Sequence, residues 1–330
     1  MVNWRSLPKV ELHLHMDTSL GYDGVAQLAP SVTREEYLRD YAGPEHCADL
    51  ADFLSHVPRI LTLLQSERGL RVLVQDMFRQ LVDDGMLYAE LRFAPHQHLS
   101  GGLSPSDVVR IIESETEKNI RDTGVEARLI LCSLRHFDAA RSMDTVQLVE
   151  QFRGSLVAGF DLAGDEAGYP LTTHLEAFRY AQDRGIPITS HAGEACGAES
   201  VWETLHTINP PRIGHGVHSI EDPALVQVLK ERGTHLEMCP TCNVQLNVFP
   251  SYQSHCIDTL YREGLSLGIS TDNRTLTPIT LTREYEKLES VFGWQKADFL
   301  RCNLYALDAA FLPPAVKTAL RQRLIAEYDR

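Results

Sequence analysis

His13-Leu14-His15 places two imidazoles two residues apart at the end of a run, Lys9 to His15, that reads as a β-strand. The period-two geometry of a strand sends both rings to one face and Leu14 to the other, so two ring nitrogens converge on one point. A His-x-His pair alone is weak evidence for a metal. Its weight rises because His191 closes a fifth such run, His215 a sixth, and Asp272 follows an eighth. His13, His15, His191 and Asp272 together offer three neutral nitrogens and one carboxylate, an inner shell suited to one Zn²⁺ per chain with a position left for water. Iron and manganese suit the same donors. Water on such an ion has a pKa of about 7, so hydrolysis is the expected chemistry. His215 can then take the water's proton or orient the hydroxide, and Glu194, three residues after His191, can deliver a proton to a substrate. The plainer alternatives are a helix-start carboxylate at Glu194 and a buried, internally satisfied histidine at position 215.

These residues are far apart in sequence and need a scaffold that gathers strand ends. Eight short β-branched or apolar runs recur: Lys9 to His15, Met86 to Ala94, Ala127 to Leu134, Leu156 to Ala163, Ile186 to His191, Arg212 to Val217, Thr234 to Cys239, and Leu265 to Thr271. Stretches of helical periodicity lie between most of them, such as Leu175, Phe178 and Ala181, or Leu225, Val228 and Leu229. Strands alternating with helices predict an α/β fold, a (β/α)8 TIM barrel, whose C-terminal strand ends surround one mouth. The long gap between the first two runs carries Phe53, Val57, Ile60, Leu61 and Leu64 on one helical stripe. That predicts a packed helical insertion covering the barrel mouth, with an ordinary core-facing helix pair as the alternative. The last ~35 residues, punctuated by Pro313-Pro314, read as helix that closes the outer ring.

The chain has 330 residues, with 31 Lys+Arg against 45 Asp+Glu and a net charge of -14. Without clustered cations a nucleic-acid partner is not expected. No run approaches the roughly 20 apolar residues of a membrane span, and the N-terminus lacks a basic n-region and apolar h-region, so the expected location is the cytoplasm. No repeat and no linker-like stretch divides the chain, which predicts one domain over residues 1–330. The 7 cysteines are odd in number and dispersed, as reduced thiols would be. Cys239-Pro-Thr-Cys242 has a C-x-x-C spacing but no second pair to complete a zinc knuckle, and is given no chemistry. His96, His98, Gln245 and Asn247 read as solvated or structural. Gly164, Gly193 and Gly214-His215-Gly216 fit either turns or backbone brought close to a ligand.

The segments PKVELHLHMD (8–17), LYAELRFAPH (87–96), LCSLRH (131–136), LAGDE (162–166), SHAGE (190–194), RIGHGVH (212–218), CPTCN (239–243) and STDN (270–273) occur in the order found in the adenosine deaminase family of the amidohydrolase superfamily. The chain resembles that family from residue 8 to about residue 310. The resemblance implies a barrel with one zinc and hydrolytic removal of the 6-amino group from an adenine-type ring. It also implies His13, His15, His191 and Asp272 as metal ligands, with Asp272 joining Glu194 and His215 in the catalytic set. In it, Glu194 donates a proton to ring N1 and His215 positions the attacking hydroxide. Gly164 meets ring N3 through its backbone N–H, and Asp17 lies on the sugar side. Two positions depart from the usual pattern. Asn273 stands where a second acid is common, and its amide can donate directly to ring N7. Thr18 stands where a Gly commonly follows the sugar-side Asp, which can narrow or redirect the sugar pocket.

Adenosine and 2′-deoxyadenosine are the favoured substrates on this resemblance, with free adenine and 6-aminodeoxyfutalosine as alternatives within the same chemistry. A non-catalytic ligand-binding barrel is the alternative from another class. A phosphoester or lactam hydrolase would commonly use a second metal bridged by a modified Lys, and no Lys occurs between Leu156 and Ala163.

Overall fold

Along β1 (Lys9–His15) the residues Val10, Leu12 and Leu14 alternate with Lys9, Glu11 and His13, and all six are buried. A strand with both faces covered usually reads as an unbroken apolar run. Here one parity is apolar and the other polar, so this strand faces a hydrophobic layer on one side and a polar interior on the other. The same division recurs in β2 (Met86–Phe93), where Leu87, Ala89, Leu91 and Phe93 alternate with Tyr88, Glu90 and Arg92.

The computed structural model describes residues 2–330 and contains six further strands, β3 (Glu126–Leu134), β4 (Val157–Ala163), β5 (His191–Ala192), β6 (Arg212–His215), β7 (His235–Met238) and β8 (Leu267–Ile269). All pair in parallel, as two four-stranded ladders in the orders β1-β2-β3-β4 and β5-β6-β7-β8. The ladders meet at two seams. Phe160 bridges to Ile188 at one, and Leu14 bridges to Asp272 at the other, so the eight strands form a barrel. The fifth and eighth strands are shorter than their sequence runs. Pro187 cannot donate to a ladder, so the fifth strand touches β4 through Phe160 N–H to Pro187 O and Thr189 N–H to Phe160 O before pairing with β6 from His191. His191 therefore opens its short ladder rather than ending it. Asp272 lies three residues past β8, where its backbone pairs with β1.

Helices occupy the intervals. The long first gap holds α1 (Tyr22–Leu28), α2 (Arg34–Asp40), α3 (Leu50–Leu54), α4 (Val57–Leu61) and α5 (Glu67–Asp83). The stripe from Phe53 to Leu64 is not one helix. Pro58 sits in the first turn of α4, where its missing N–H costs nothing, and a 3₁₀ turn at Thr62–Leu64 ends the segment. Next come α6 (Pro105–Thr123), α7 (Ala139–Gln151), α8 (Leu175–Asp183), α9 (Ala198–Thr207), α10 (Pro223–Arg232), α11 (Pro240–Gln245) and α12 (Ile257–Arg262), then α13 (Leu281–Phe292), α14 (Lys296–Ala309) and α15 (Pro314–Tyr328). One large apolar cluster joins the outer strand faces to these helices. A second, small one packs Leu50, Phe53 and Val57 on Cys239, Cys242, Leu246 and Leu276, which seats α3 and α4 over the mouth. No helix among the described residues is long and apolar enough to cross a membrane.

The outer layer should behave as a close-packed core. Phe178 of α8 is fully buried edge-on to Phe160 of β4, with ring centroids 5.1 Å apart. Phe178→Ala is expected to cost about 3–5 kcal/mol, and Leu38→Ala, at a side chain 56% exposed, no more than about 0.5 kcal/mol. Urea denaturation with unchanged m-values checks both.

Candidate active site

His13, on the polar parity of β1, has its Nδ1 2.8 Å from Glu237 Oε2 on β7. His191, at the start of β5, has its Nδ1 3.3 Å from Asp161 Oδ1 on β4. A carboxylate on Nδ1 fixes each ring's tautomer and leaves Nε2 as the free lone pair. His15 Nε2 and His191 Nε2 face each other at 3.1 Å. Asp272 Oδ1 lies 3.3 Å from His13 Nε2 and 3.5 Å from His15 Nε2. Burial first, and then neighbouring positive groups, lower the pKa values of His13 and His15 well below the ordinary imidazole value, so both rings are neutral.

The ligand atoms of His13, His15, His191 and Asp272 all lie within 4.8 Å of one another. His13 Nε2 and Asp272 Oδ1 are buried with no hydrogen-bond partner. Buried polar atoms are normally satisfied, so two such atoms converging with two further imidazole nitrogens fit a metal ion with nitrogen and oxygen ligands. Asp272 is held there by its backbone. With φ +66 it occupies the left-handed region that non-glycine residues rarely adopt, and it is fixed by His15 N–H to Asp272 O at 2.7 Å and Asp272 N–H to His13 O at 3.1 Å. Its other oxygen accepts from Cys242 Sγ at 2.9 Å. Cys242 thus supports a carboxylate, and all seven cysteines are free.

His215 ends β6 at φ +60, a second strained non-glycine position in the same site. Its Nδ1 lies 3.1 Å from Asn243 Nδ2, and its Nε2 is 3.4 Å from Glu194 Oε1. Asn243 in turn accepts from His255 Nε2 at 3.2 Å, so α11 holds the ring from behind. Burial pushes the His215 pKa well down. Gly214, next to it, lies so close to His13 that a Cβ there would sit 2.9 Å from that ring's Cε1. Glu194 is not the carboxylate that satisfies the loop after β5. Glu166 does that, accepting from the N–H groups of Gly193, Glu194, Ala195 and Cys196 at 2.7–3.1 Å and from the Ser200 hydroxyl. Glu194 is left with its carboxyl facing the cavity, where burial first, then Asp272 and Glu166, raise its pKa well above the usual range.

A cavity of about 290 Å³ opens from this cluster. Asp17, Thr18, Gly164 and Asn273 line it beside His15, His191, Glu194, His215 and Asp272, and Leu50, Phe53, Leu54, Val57, Pro58 and Leu61 roof it. The insertion therefore covers the mouth. Gly164 carries φ +98, so a side chain there would be strained whatever the space. Asp17 Oδ2 accepts from Ala94 N–H at 3.0 Å. The Thr18 hydroxyl donates to the side-chain oxygen of Asn273, which leaves the amide N–H₂ as that residue's donor. Among the cavity's described lining residues there is no lysine and no arginine.

The predicted ligands His13, His15, His191 and Asp272, the predicted catalytic residues Glu194 and His215, and Asp17, Gly164 and Asn273 all lie in this cluster or on this cavity. Spacing gave no role to Arg92, Asp161, Glu166, Glu237 or Asn243. Three of these, Arg92, Asp161 and Glu237, are charged residues within strand-like runs, which was the available signal. His98 and Gln245 are buried and structural: His98 Nδ1 donates to Leu64 O, and Gln245 donates to Pro44 O and Leu276 O.

A family model described as adenosine deaminase matches residues 8–327. The chain is 34% identical to an adenosine deaminase of Enterococcus faecalis, covering 98% of this chain and 98% of that one. It is 33% identical to an adenine deaminase of Rhizobium rhizogenes, covering 96% and 99%. A crystal structure of an amidohydrolase from Burkholderia ambifaria with bound Zn superposes with a TM-score of 0.90 at 25% identity, over 99% of this chain and 92% of that one. With the model spanning nearly the whole chain and relatives above 30% identity along its length, the chain belongs to the adenosine deaminase family.

Proposed function

We propose that this protein is a zinc-dependent hydrolase that converts adenosine and 2′-deoxyadenosine to inosine and deoxyinosine with release of ammonia. The observation that carries this reading is the cavity itself, which sets Glu194, its pKa raised by burial, and His215, its pKa lowered by burial, beside a three-histidine, one-carboxylate cluster and holds no lysine or arginine among its described lining residues.

Zinc held by His13, His15, His191 and Asp272 would supply a water acidified to a pKa of about 7 and positive charge beside the developing oxyanion. Glu194 donates its proton to ring N1, which relieves the negative charge the ring takes on as C6 becomes tetrahedral. His215 offers Nε2, which faces Glu194 but makes no hydrogen bond within the protein, to orient the attacking oxygen. The Asn273 amide donates to N7, the Gly164 N–H to N3, and Asp17 accepts from a sugar hydroxyl. The hydroxyl proton of the tetrahedral centre passes to the 6-amino group, and collapse to the C6 carbonyl expels ammonia.

The relatives include proteins named for adenosine and for adenine. The cavity's charge favours a neutral nucleoside over a phosphorylated one. Phosphate is recognised by arginine and lysine, whereas the acidic lining residues here are Asp17, Asp165 and Asp272 beside Glu194, the proton donor. A pentose presents hydroxyls that such carboxylates accept from.

Ammonia release compared by kcat/KM for adenosine, 2′-deoxyadenosine, adenine, 6-aminodeoxyfutalosine and AMP is expected to rank one of the two nucleosides first and AMP and the carboxylate-bearing 6-aminodeoxyfutalosine far below. AMP in first place would overturn the charge argument, and adenine in first place the sugar-side role of Asp17. His15→Ala should lose metal, read by elemental analysis. Glu194→Gln should keep it while kcat falls about 10²–10⁴-fold, and an active Glu194→Gln enzyme removes the proton-donor role. Exhaustive chelation should abolish turnover, with Zn²⁺ restoring it. Full activity in protein verified to be metal-free would sink the mechanism.

A further inference from the structure

The barrel interior holds charges that the reaction does not touch. Arg92, on β2, is fully buried, and its guanidinium reaches three other strands. Nη1 donates to Asp161 Oδ2 on β4 at 2.9 Å, and Nη2 donates to Glu237 Oε2 on β7 at 2.7 Å and to Leu12 O on β1 at 2.6 Å. Asp161 and Glu237 are the two carboxylates that meet Nδ1 of His191 and of His13. A single planar group therefore lies between the two supports of two ligands from opposite ladders of the barrel.

We propose that Arg92 is a positioning residue for the metal centre: its forked guanidinium locks Asp161 and Glu237 at one spacing, and through them fixes the ring orientation of His191 and His13. The inference rests on the metal reading above. Two features separate it from an incidental buried ion pair. Asp161 meets His191 Nδ1 with one oxygen and accepts from Arg92 and the Cys132 thiol with the other, and Glu237 Oε2 meets both Arg92 and His13 Nδ1, so the guanidinium bears on both rings. The contacts also span a seam where the backbone supplies a single bridge, Phe160 to Ile188, so the ladder does not set the distance between His13 and His191. Glu237 is further pinned on its other oxygen by the Thr189 hydroxyl at 3.2 Å and by Arg212 Nε at 2.8 Å, which leaves Arg92 the group common to both arms. A lysine cannot substitute, because one ammonium lacks the fork that holds two carboxylates in a plane.

The test is metal affinity, measured by competition with a chromophoric chelator on metal-stripped protein, together with the visible d–d spectrum of the Co²⁺ form. Arg92→Lys is expected to weaken Zn²⁺ and Co²⁺ binding about 10–100-fold, the range seen when the outer partners of ligands are lost, and to alter the Co²⁺ bands. A folded Arg92→Lys protein with affinity within twofold of the parent and an unchanged Co²⁺ spectrum overturns the proposal, even if its Tm has dropped. Should Arg92→Lys fail to fold, Asp161→Asn and Glu237→Gln carry the test. Each is expected to weaken binding, and the double variant by less than the product of the two single losses, because both act through one guanidinium. A product of independent losses overturns the coupling. A parent protein that binds no metal overturns the metal reading itself, and this proposal with it.

Discussion

Two four-stranded ladders meet at seams of one bridge each, yet the candidate ligand atoms come from both: His13 and His15 from the first ladder, His191 and Asp272 from the second or just past it. Backbone pairing along β1 to β4 or β5 to β8 cannot set the distance between those groups. Across the barrel interior, buried charge joins the two ladders. Glu237 reaches His13 and Arg92 from β7, and Asp161 reaches His191 from β4. At the other seam the Asp272 backbone clasps β1 on both sides of Leu14, so the carboxylate and the two histidines of that strand share one local frame.

Such an interior is costly. Barrel cores are usually filled with branched apolar side chains, whereas Glu90, Arg92, Asp161, Arg212 and Glu237 here are wholly buried and bonded to one another. Apolar replacements of similar volume often match or exceed the stability of buried ion pairs, so stability alone does not account for the network. Its members adjoin the ligand rings, and its charges hold one another in place: although burial opposes the charge on Asp161, His191 and Arg92 keep that carboxyl well below the usual range.

A second division of labour concerns the loop after β5. Four consecutive N–H groups and a serine hydroxyl converge on Glu166, which anchors the turn and frees Glu194, the residue inside that turn, to face the cavity. Above it, α3 and α4 bury a small apolar face on the Cys239 and Cys242 pair. The C-x-x-C spacing therefore serves as a floor for the roof and, through Cys242, as a donor to Asp272.

The barrel class, the helical insertion over its mouth and the gathering of His13, His15, His191, His215, Glu194 and Asp272 were legible in the sequence, because strand parity and strand order are local properties and a barrel collects strand ends at one mouth. The motif resemblance added Asp17, Gly164 and Asn273, which line the cavity. Strand lengths were less legible: a run's composition does not reveal that Pro187 interrupts the fifth ladder or that the backbone turns left-handed at His215 and Asp272. Charged residues on buried strands marked the supports, but which groups they hold was not legible. Whether Arg92 meets Asp161 and Glu237, residues 69 and 145 positions away, depends on how side chains from three strands converge inside the closed barrel. Residue types and their order along the chain show which groups could do the chemistry. Only the tertiary structure decided which groups hold them, because a buried charge acquires its partners from packing across the barrel and not from its neighbours in the chain.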